Sequence, residues 1–251
     1  MLRYTLISIA LCLVVVGLYF GAARASSKIY HHEDTQTASA GDAVGTSETT
    51  KDAPVEIPFV ATHIATPKPL KAIYMSSWVA ATPSLRAKLV NLITTTELNA
   101  VVIDIKDATG KIAFLTKDQT LTDSGSPEDR IPDLNSFIAS LHEKNIYVIG
   151  RIAVFQDPYM TKAKPEWAIK KKSDGTVWKD FKGLSFLDPS KKEVWDYTVA
   201  IANESYAHGF DEINFDYVRF PSDGKISDIA YPNATGTTTR ADIIKSFFAF
   251  W

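Results

Sequence analysis

The sequence predicts an α/β protein built on the plan of a (β/α)8 TIM barrel, of which this chain holds about the first four βα units. Short apolar runs alternate with amphipathic helical patterns from about residue 70 onward. An open doubly wound sheet would show the same alternation, but it usually carries a glycine-rich phosphate loop after its first strand. Here Ser76, Ser77, Trp78 and Val79 stand at that position. The barrel is therefore the favoured architecture.

The four predicted strands are short runs rich in β-branched and aromatic residues. They span residues 72–78, 100–106, 147–155 and 212–220. Each strand is followed, after a connection, by a segment with the apolar stripe of a helix that packs on a sheet.

The four predicted helices are located by their starting signals, which are N-cap residues and prolines in the first turn. Those signals are Thr82 with Pro83, Asp133, Asp188 with Pro189, and Thr239. A closed barrel needs eight units and about 250 residues. We therefore expect this chain to stop before the fifth strand.

The N-terminal third has a different character from the rest of the chain. Residues 4–23 are an apolar run long enough to cross a bilayer, which predicts an apolar helix serving as either a signal peptide or an uncleaved membrane anchor within residues 1–25. Residues 26–69 are rich in Ser, Thr, Ala and Pro, which predicts a disordered, flexible linker before a folded domain over 70–251. We expect export, with the domain secreted or held outside the cytoplasm by the membrane helix.

Composition narrows the chemistry that the folded part can perform. A net charge of -2 and a pI near 6.2 leave no basic footprint for nucleic acid. The single cysteine, Cys12, lies in the apolar run, so internal disulfides and thiolate chemistry are excluded from the domain. No cofactor is expected, and the acidic residues lack the regular spacing of a metal site.

Loop lengths indicate which end of the sheet carries a site. The turns from helix to strand are short, at residues 97–99, 143–145 and 207–209. The connections from strand to helix are long, at residues 107–132 and 156–187. Because βα barrels build their active sites from these connections, the C-terminal edge of the sheet is predicted to bind a ligand.

The fourth predicted strand supplies the leading catalytic candidate. Its side chains alternate between two faces, and Ile213 and Phe215 occupy the apolar phase. Asn214 and Asp216 then face the barrel lumen, with Asp216 near the strand's C-terminal end. A carboxylate at that position suits a nucleophile, base or acid beside a glycosidic bond. Arg219 follows it and could hold the carboxylate ionised or bind a sugar hydroxyl.

Strands two and three add inward-facing charges. Asp104 and Lys106 lie on the lumen phase of the second strand, and Asp107 follows them. Arg151 lies on the lumen phase of the third strand, where it could pair with Asp104 or Asp216. Charges in a barrel lumen are costly unless they are paired, so these residues either brace one another or line a polar site.

The candidate site therefore contains two catalytic carboxylates, Asp216 and Asp104, and a set of substrate-binding residues. The substrate-binding candidates are Arg219, Asp107, Lys106, Arg151, Asn214, Trp78 and Tyr217. The indole of Trp78 could stack on a sugar ring, although ordinary packing would explain it equally well.

Several segments, in this order, resemble the glycoside hydrolase-like domain family DUF4015. They are IYMSSWVA, VVIDIKDATGKIAF, YVIGRIAVFQDP, SFLDPS and GFDEINFDYVRFPSDG, within residues 71–251. The resemblance implies a TIM barrel with a sugar-hydrolysing site in which Asp216 is the catalytic carboxylate. The second carboxylate could lie on a later strand, with Asp104, Asp107 and Glu212 as stand-ins.

These observations predict a glycoside hydrolase that cleaves O-glycosidic bonds of an extracellular or cell-envelope polysaccharide by carboxylate chemistry, with a site that is incomplete in this chain. Its partners would be that polysaccharide and, if the apolar helix is retained, the membrane. Two alternatives stay open. One is a non-catalytic carbohydrate-binding or envelope-scaffold protein, and the other is a metal-dependent carbohydrate esterase.

Overall fold

The computed structural model describes residues 59–233 and 237–250. The apolar run at residues 4–23 and most of the predicted linker lie outside the described residues. No helix within the described ranges is long and apolar enough to cross a membrane.

A four-stranded parallel sheet forms the centre of the domain. Its strands are β1 (Ala72–Met75), β2 (Ala100–Lys106), β3 (Tyr147–Ala153) and β5 (Glu212–Asp216), hydrogen-bonded in that order. Every pair is parallel. Each strand therefore lies beside the next sheet strand in the chain, and the α/β prediction is confirmed at this level.

Helices connect successive strands and follow the last one. They are α1 (Ser77–Ala80), α2 (Pro83–Thr95), α3 (Gln119–Ser124), α4 (Leu134–His142), α5 (Met160–Ala163), α6 (Lys192–Ala207) and α7 (Arg240–Phe248). Helix α7 begins with a capping box in which Thr239 and Asp242 each bond the other's backbone N–H. The other predicted starts differ: Thr82 and Asp133 precede α2 and α4 without capping through their side chains, and α6 begins only at Lys192.

The two faces of the sheet have opposite character, as the predicted alternation requires. One face carries Val101, Ile103 and Ile105 of β2 into the main hydrophobic core. Helices α4 and α6 contribute buried residues to that core, including Ile138 and Ile201. Because side chains alternate along a strand, the intervening residues lie on the opposite face, where the charged candidates stand.

Three of the strands end earlier than predicted, and β3 ends at Ala153 rather than at residue 155. The other two are β1 and β5. Strand β1 stops at Met75 because the Ser76 side chain accepts a hydrogen bond from the Val79 N–H and starts helix α1. Strand β5 stops at Asp216 because Tyr217 adopts a left-handed backbone conformation with φ of 54°. Both breaks fall at the C-terminal edge of the sheet.

A small lobe lies at the C-terminal edge of the sheet. We define it as residues 156–191 and 221–231, which come from the connections after β3 and β5. The two connections are joined by an antiparallel pair, β4 (Lys170–Lys171) with β6 (Ile229–Ala230). The lobe has its own apolar cluster, whose buried members are Ile169, Trp178, Phe186 and Ile229.

The first of these connections contains a hairpin around Gly175. The Lys171 N–H donates to the carbonyl of Thr176, and the Trp178 N–H donates to that of Ile169. Trp167 lies before the hairpin, in a 3-10 turn over Pro165–Trp167.

The predicted linker extends too far toward the C-terminus. Ile64 packs against a small apolar cluster of Ala100, Tyr147 and Ile149 on the polar face of the sheet. The Ile64 N–H also donates to Asp211 at 2.8 Å. Residues just before β1 therefore belong to the folded domain. Ile64 shields the apolar side chains of Ala100, Tyr147 and Ile149 from solvent at the N-terminal end of the sheet.

Gly110 offers a test of how the first long connection packs. Its φ is +87°, and a Cβ built on it would lie 2.0 Å from Asp157 Oδ1. Gly175 has a similar φ of +70° but open space around it. We expect Gly175→Ala to cost roughly 1–2 kcal/mol from left-handed backbone alone. Gly110→Ala should cost roughly 1–3 kcal/mol more, because Asp157 is buried and must shift.

Urea unfolding of both variants measures this difference. Equal losses of unfolding free energy would show that the 107–132 connection does not press on Asp157 as described.

Candidate active site

One arginine ties together the polar face of the sheet at its C-terminal edge. Arg151 of β3 donates from Nη1 to Asp104 Oδ1 of β2 at 2.7 Å. On its other side it donates from Nε to Asp216 Oδ2 of β5 at 2.8 Å, with Nη2 2.7 Å from the same oxygen. Strand register permits this, because Asp104 is the partner of Arg151 and Asp216 is the partner of Ala153.

Tyr74 brings β1, the remaining strand of the sheet, into the same arrangement. Its hydroxyl donates a short hydrogen bond to Asp104 Oδ2. Although Tyr74 is 52% exposed as a residue, partial desolvation of its phenol and its bond to the Asp104 carboxylate together raise the pKa of Tyr74 to about 12. We call Tyr74, Asp104, Arg151 and Asp216 the Arg151 cluster; each of the four strands contributes one member.

The two carboxylates of the Arg151 cluster are not equivalent. The Asp104 side chain is 4% exposed, and both of its oxygens accept hydrogen bonds from protein groups. The Asp216 side chain is 45% exposed, so solvent or a ligand can reach it. Asp216 is therefore the member able to contact a substrate, whereas Asp104 holds Arg151 in place.

The backbone after Asp216 fixes the direction of its carboxylate. The Tyr217 N–H donates to Asp216 Oδ1 at 2.6 Å. This local bond accompanies the left-handed φ at Tyr217, a conformation that is rare for an aromatic residue and that concentrates at functional sites. Between them, Tyr217 and Arg151 supply N–H donors to both oxygens of Asp216.

Arg219 contacts the residue that follows Asp216. Its guanidinium lies 5.3 Å from the centre of the Tyr217 ring, and Arg151 lies 5.9 Å from that ring. Arg219 donates to the Ser222 hydroxyl at 2.6 Å and does not pair with Asp216. Arg151, rather than Arg219, therefore holds the Asp216 carboxylate.

A second arginine-centred group lies at the ends of β1 and β2. Arg130 donates to Asp107 Oδ2 at 2.9 Å and to Glu128 Oε2 at 2.7 Å. Its guanidinium lies 4.3 Å from the ring of Trp78, whose residue is 62% exposed. The predicted candidates Asp107 and Trp78 are thus brought together by Arg130. Trp78 presents an open aromatic surface to solvent.

Lys106 is not placed in the open site that its strand phase predicted. The pairing of β2 with β3 shifts register between Asp104 and Lys106, so Lys106 does not follow the alternation of the strand. Its ammonium lies 2.9 Å from Asp157 Oδ2. Both side chains are at most 1% exposed. Burial raises the pKa of Asp157, and the Lys106 charge opposes that rise. This pair braces the root of the small lobe.

Asn214 lies on the polar face, where it is the register partner of Arg151. Its side chain is exposed, one step below Asp216 along the face. It is therefore near the Arg151 cluster without bonding to it.

Sequence reasoning gave no site role to Tyr74, Arg130 or Asp157. Tyr74 lies on the same face of the sheet as Asp104, so the alternation that selected Asp104 could have selected it as well. Arg130 lies in a long connection, and Asp157 follows β3 in a loop. Neither Arg130 nor Asp157 lies in a strand or helix whose alternation or apolar stripe could have indicated its position.

The arrangement presents one exposed carboxylate that accepts hydrogen bonds on both oxygens and faces the solvent-accessible edge of a parallel sheet. A group held in this way can attack or stabilise an electron-poor carbon, or accept a proton from water. The exposed indole of Trp78 and the two arginines suit hydroxyl-rich or charged ligands.

Comparisons with known proteins identify the family of the chain. The family model described as "Putative glycosyl hydrolase domain" (DUF4015) matches residues 72–250, which confirms the resemblance in the motifs. A hypothetical protein from Ruminiclostridium thermocellum is 34% identical, with a TM-score of 0.65, and the match covers 71% of this chain and 90% of that one. No curated protein sequence matches the chain.

Two larger enzymes are more distant structural neighbours. An alpha-galactosidase from Lactobacillus brevis is 14% identical with a TM-score of 0.46, over 70% of this chain and 23% of that one. A GH31 alpha-xylosidase from a soil metagenome is 15% identical with a TM-score of 0.48, over 72% of this chain and 28% of that one. The chain thus spans only about a quarter of each of these two proteins.

The Lys106–Asp157 pair yields a stability prediction. Lys106→Met removes the cation and leaves a buried carboxylate, so we expect a loss of about 3–5 kcal/mol of unfolding free energy. The control is Lys171→Met, because Lys171 lies 3.6 Å from Asp174 in an exposed pair. That control should cost less than about 1 kcal/mol. Denaturant melts compare the two, and similar small losses would contradict a buried, mutually dependent pair.

Tyr74 yields a prediction about alkaline pH. Its pKa is raised in the folded state, so the folded protein binds this proton more tightly than the unfolded chain. The stabilisation is complete below the ordinary tyrosine pKa near 10 and is lost as pH rises toward about 12. The difference in unfolding free energy between the native protein and Tyr74→Phe should therefore shrink over this interval. A difference that stays constant with pH would contradict the Tyr74–Asp104 bond.

Proposed function

Because the chain belongs to the DUF4015 glycosyl hydrolase domain family, we propose that it hydrolyses O-glycosidic bonds of a polysaccharide, with Asp216 as a catalytic carboxylate. One observation carries the proposal. Asp216 is the exposed carboxylate of the Arg151 cluster, at the C-terminal edge of a parallel sheet.

The role of Asp216 follows from its hydrogen bonds. Its Oδ1 accepts from the Tyr217 backbone, and its Oδ2 accepts from Arg151. A carboxylate surrounded by donors suits attack on an anomeric carbon or activation of water better than it suits proton donation. We assign it the nucleophile or base role. The acid that protonates the leaving group is a separate residue.

Asp104 and Tyr74 act through Arg151 in this proposal. Asp104 is buried and already accepts from both neighbours, so it positions the guanidinium rather than touching substrate. Tyr74 in turn fixes Asp104. Asp107 is held by Arg130 at the same edge of the sheet, and Trp78 offers a stacking surface for a sugar ring.

We further propose that the sheet is part of a (β/α)8 barrel. The order of its strands follows the chain without reversal, whereas a doubly wound sheet reverses at a switch point. Its charged face opposite the helix-packed core suits a barrel lumen. We also propose export of the protein, which rests on the apolar run at residues 4–23.

The experiment is turnover of α- and β-linked oligosaccharides by the full chain. For a substrate that is hydrolysed, Asp216→Asn should lower kcat by roughly a thousandfold, because the amide cannot attack or accept a proton. The matched control is Asp223→Asn, an exposed carboxylate in the connection after β5 whose one hydrogen bond among the described residues comes from the Gly224 N–H. That control should leave kcat unchanged.

Two results would overturn the proposal. One is full activity of Asp216→Asn. The other is binding of glycans that survives Asp216→Ala with no turnover on any substrate, which would indicate a carbohydrate-binding protein. Circular dichroism of each variant verifies that a loss of activity is not a loss of fold.

A further inference from the structure

The small lobe carries an excess of positive charge that the rest of the chain does not share. The small lobe, residues 156–191 and 221–231, contains nine lysines and seven acidic residues, although the whole chain has a net charge of -2. A surface with a net positive charge attracts negatively charged ligands.

Most of these lysines lack an internal partner. Within residues 59–233 and 237–250, seven of them have no acidic side chain within ion-pair distance: Lys162, Lys164, Lys170, Lys172, Lys179, Lys182 and Lys191. The other two are Lys171, which pairs with Asp174, and Lys225, which pairs with Asp228. The positive charge of the lobe is therefore open to a ligand.

The lobe also contains a concave surface that could hold a ligand. A cavity of about 350 Å³ is lined by Pro158, Pro165, Val177, Ser185, Lys162 and Lys179. Two of those lining residues are among the lysines without an acidic partner. The cavity thus combines apolar walls with two ammonium groups, which suits a sugar ring that carries a negative substituent.

The lobe is attached to the same edge of the sheet as Asp216. It leaves the sheet directly after β3, where the Val154 N–H donates to the carbonyl of Asp216. Its β4–β6 pair ties it to the connection that follows β5. A polymer lying across the lobe would therefore lead toward Asp216.

Arg219 supplies a further cation, three residues after the candidate catalytic carboxylate Asp216. It is exposed, stacks on Tyr217 and donates to Ser222, and it has no carboxylate partner among the described residues. A planar guanidinium free of carboxylates can bind a carboxylate or phosphate with two parallel hydrogen bonds. This second cationic site is independent of the lysine excess.

We propose that the ligand is an anionic polysaccharide, whose negative groups bind Arg219 beside Asp216 and the lysines of the small lobe. The inference rests on the proposed function and names its substrate class. Carboxylate and phosphate substituents share the required chemistry, so the experiment contains an arm for each.

Binding is measured by affinity electrophoresis and calorimetry with the full chain carrying Asp216→Asn, so that hydrolysis does not interfere. The probes are polygalacturonate, its fully methyl-esterified form, and a glycerol phosphate polymer. We expect binding to at least one charged polymer, weakening as salt is raised. The esterified form, which lacks the charge, should bind at least tenfold more weakly than polygalacturonate if carboxylates are the groups recognised.

Variants separate the lobe from general charge effects. Lys162→Gln/Lys179→Gln should weaken binding of the charged polymer by roughly tenfold. The control Lys68→Gln/Lys88→Gln makes the same change of net charge at two exposed positions outside the lobe and should leave affinity unchanged. Arg219→Gln should also weaken binding, and Arg219→Lys should restore part of the loss.

The proposal fails if neither charged polymer binds, or if the control pair weakens binding as much as the lobe pair. Selective binding to vesicles of anionic phospholipid, with no binding to either polymer, would also overturn it. Turnover of neutral glycans without binding of charged ones would refute this inference and leave the proposed hydrolysis standing. Lobe-dependent binding of a charged polymer without turnover by the native chain would support this inference and refute the proposed hydrolysis.

Discussion

A single cation shared by two carboxylates determines the arrangement at the C-terminal edge of the sheet. Arg151 lies between Asp104 and Asp216, and its planar guanidinium can satisfy both only when β2, β3 and β5 end at matched heights. Removing either carboxylate would leave the arginine partly uncompensated near a poorly solvated face. The position of the exposed carboxylate is therefore set by the backbone register of three strands, and a flexible loop is not required to hold it.

Two ion pairs with similar chemistry serve different purposes here. Lys106 and Asp157 are closed off from solvent, and burial raises the pKa of Asp157. Arg151 and Asp216 meet where nearly half of the Asp216 side chain is accessible, at 45%. The first pair lies under the small lobe and stabilises its root, and the second remains available to a ligand. Depth below the surface, rather than residue type, distinguishes a structural pair from a candidate catalytic one.

Much of this could be predicted from alternation along the strands. Strand β2 has the predicted bounds, and the alternation correctly placed Asp104, Arg151 and Asp216 on one face of the sheet. Lys106 escaped the prediction because the register shift after Asp104 breaks strict alternation. Pairing of Arg130 with Asp107 depends on how a long connection folds back, which carries no periodic signal. The sequence therefore predicted which charged side chains share a face of the sheet, but not the contacts that the loops make with them.

The pairing of β4 with β6 joins the connection after β3 to the connection after β5, so that the two pack as one unit. Trp178 of the first connection donates its indole N–H to the carbonyl of Lys225 in the second, and Gly224 leaves no room for a side chain against that indole. A change of length or sequence in either connection would be transmitted to the other, and with it to the segment that carries Arg219. Diversification of ligand preference on this scaffold would therefore require coordinated changes in both connections, so that the lobe is inherited as a unit.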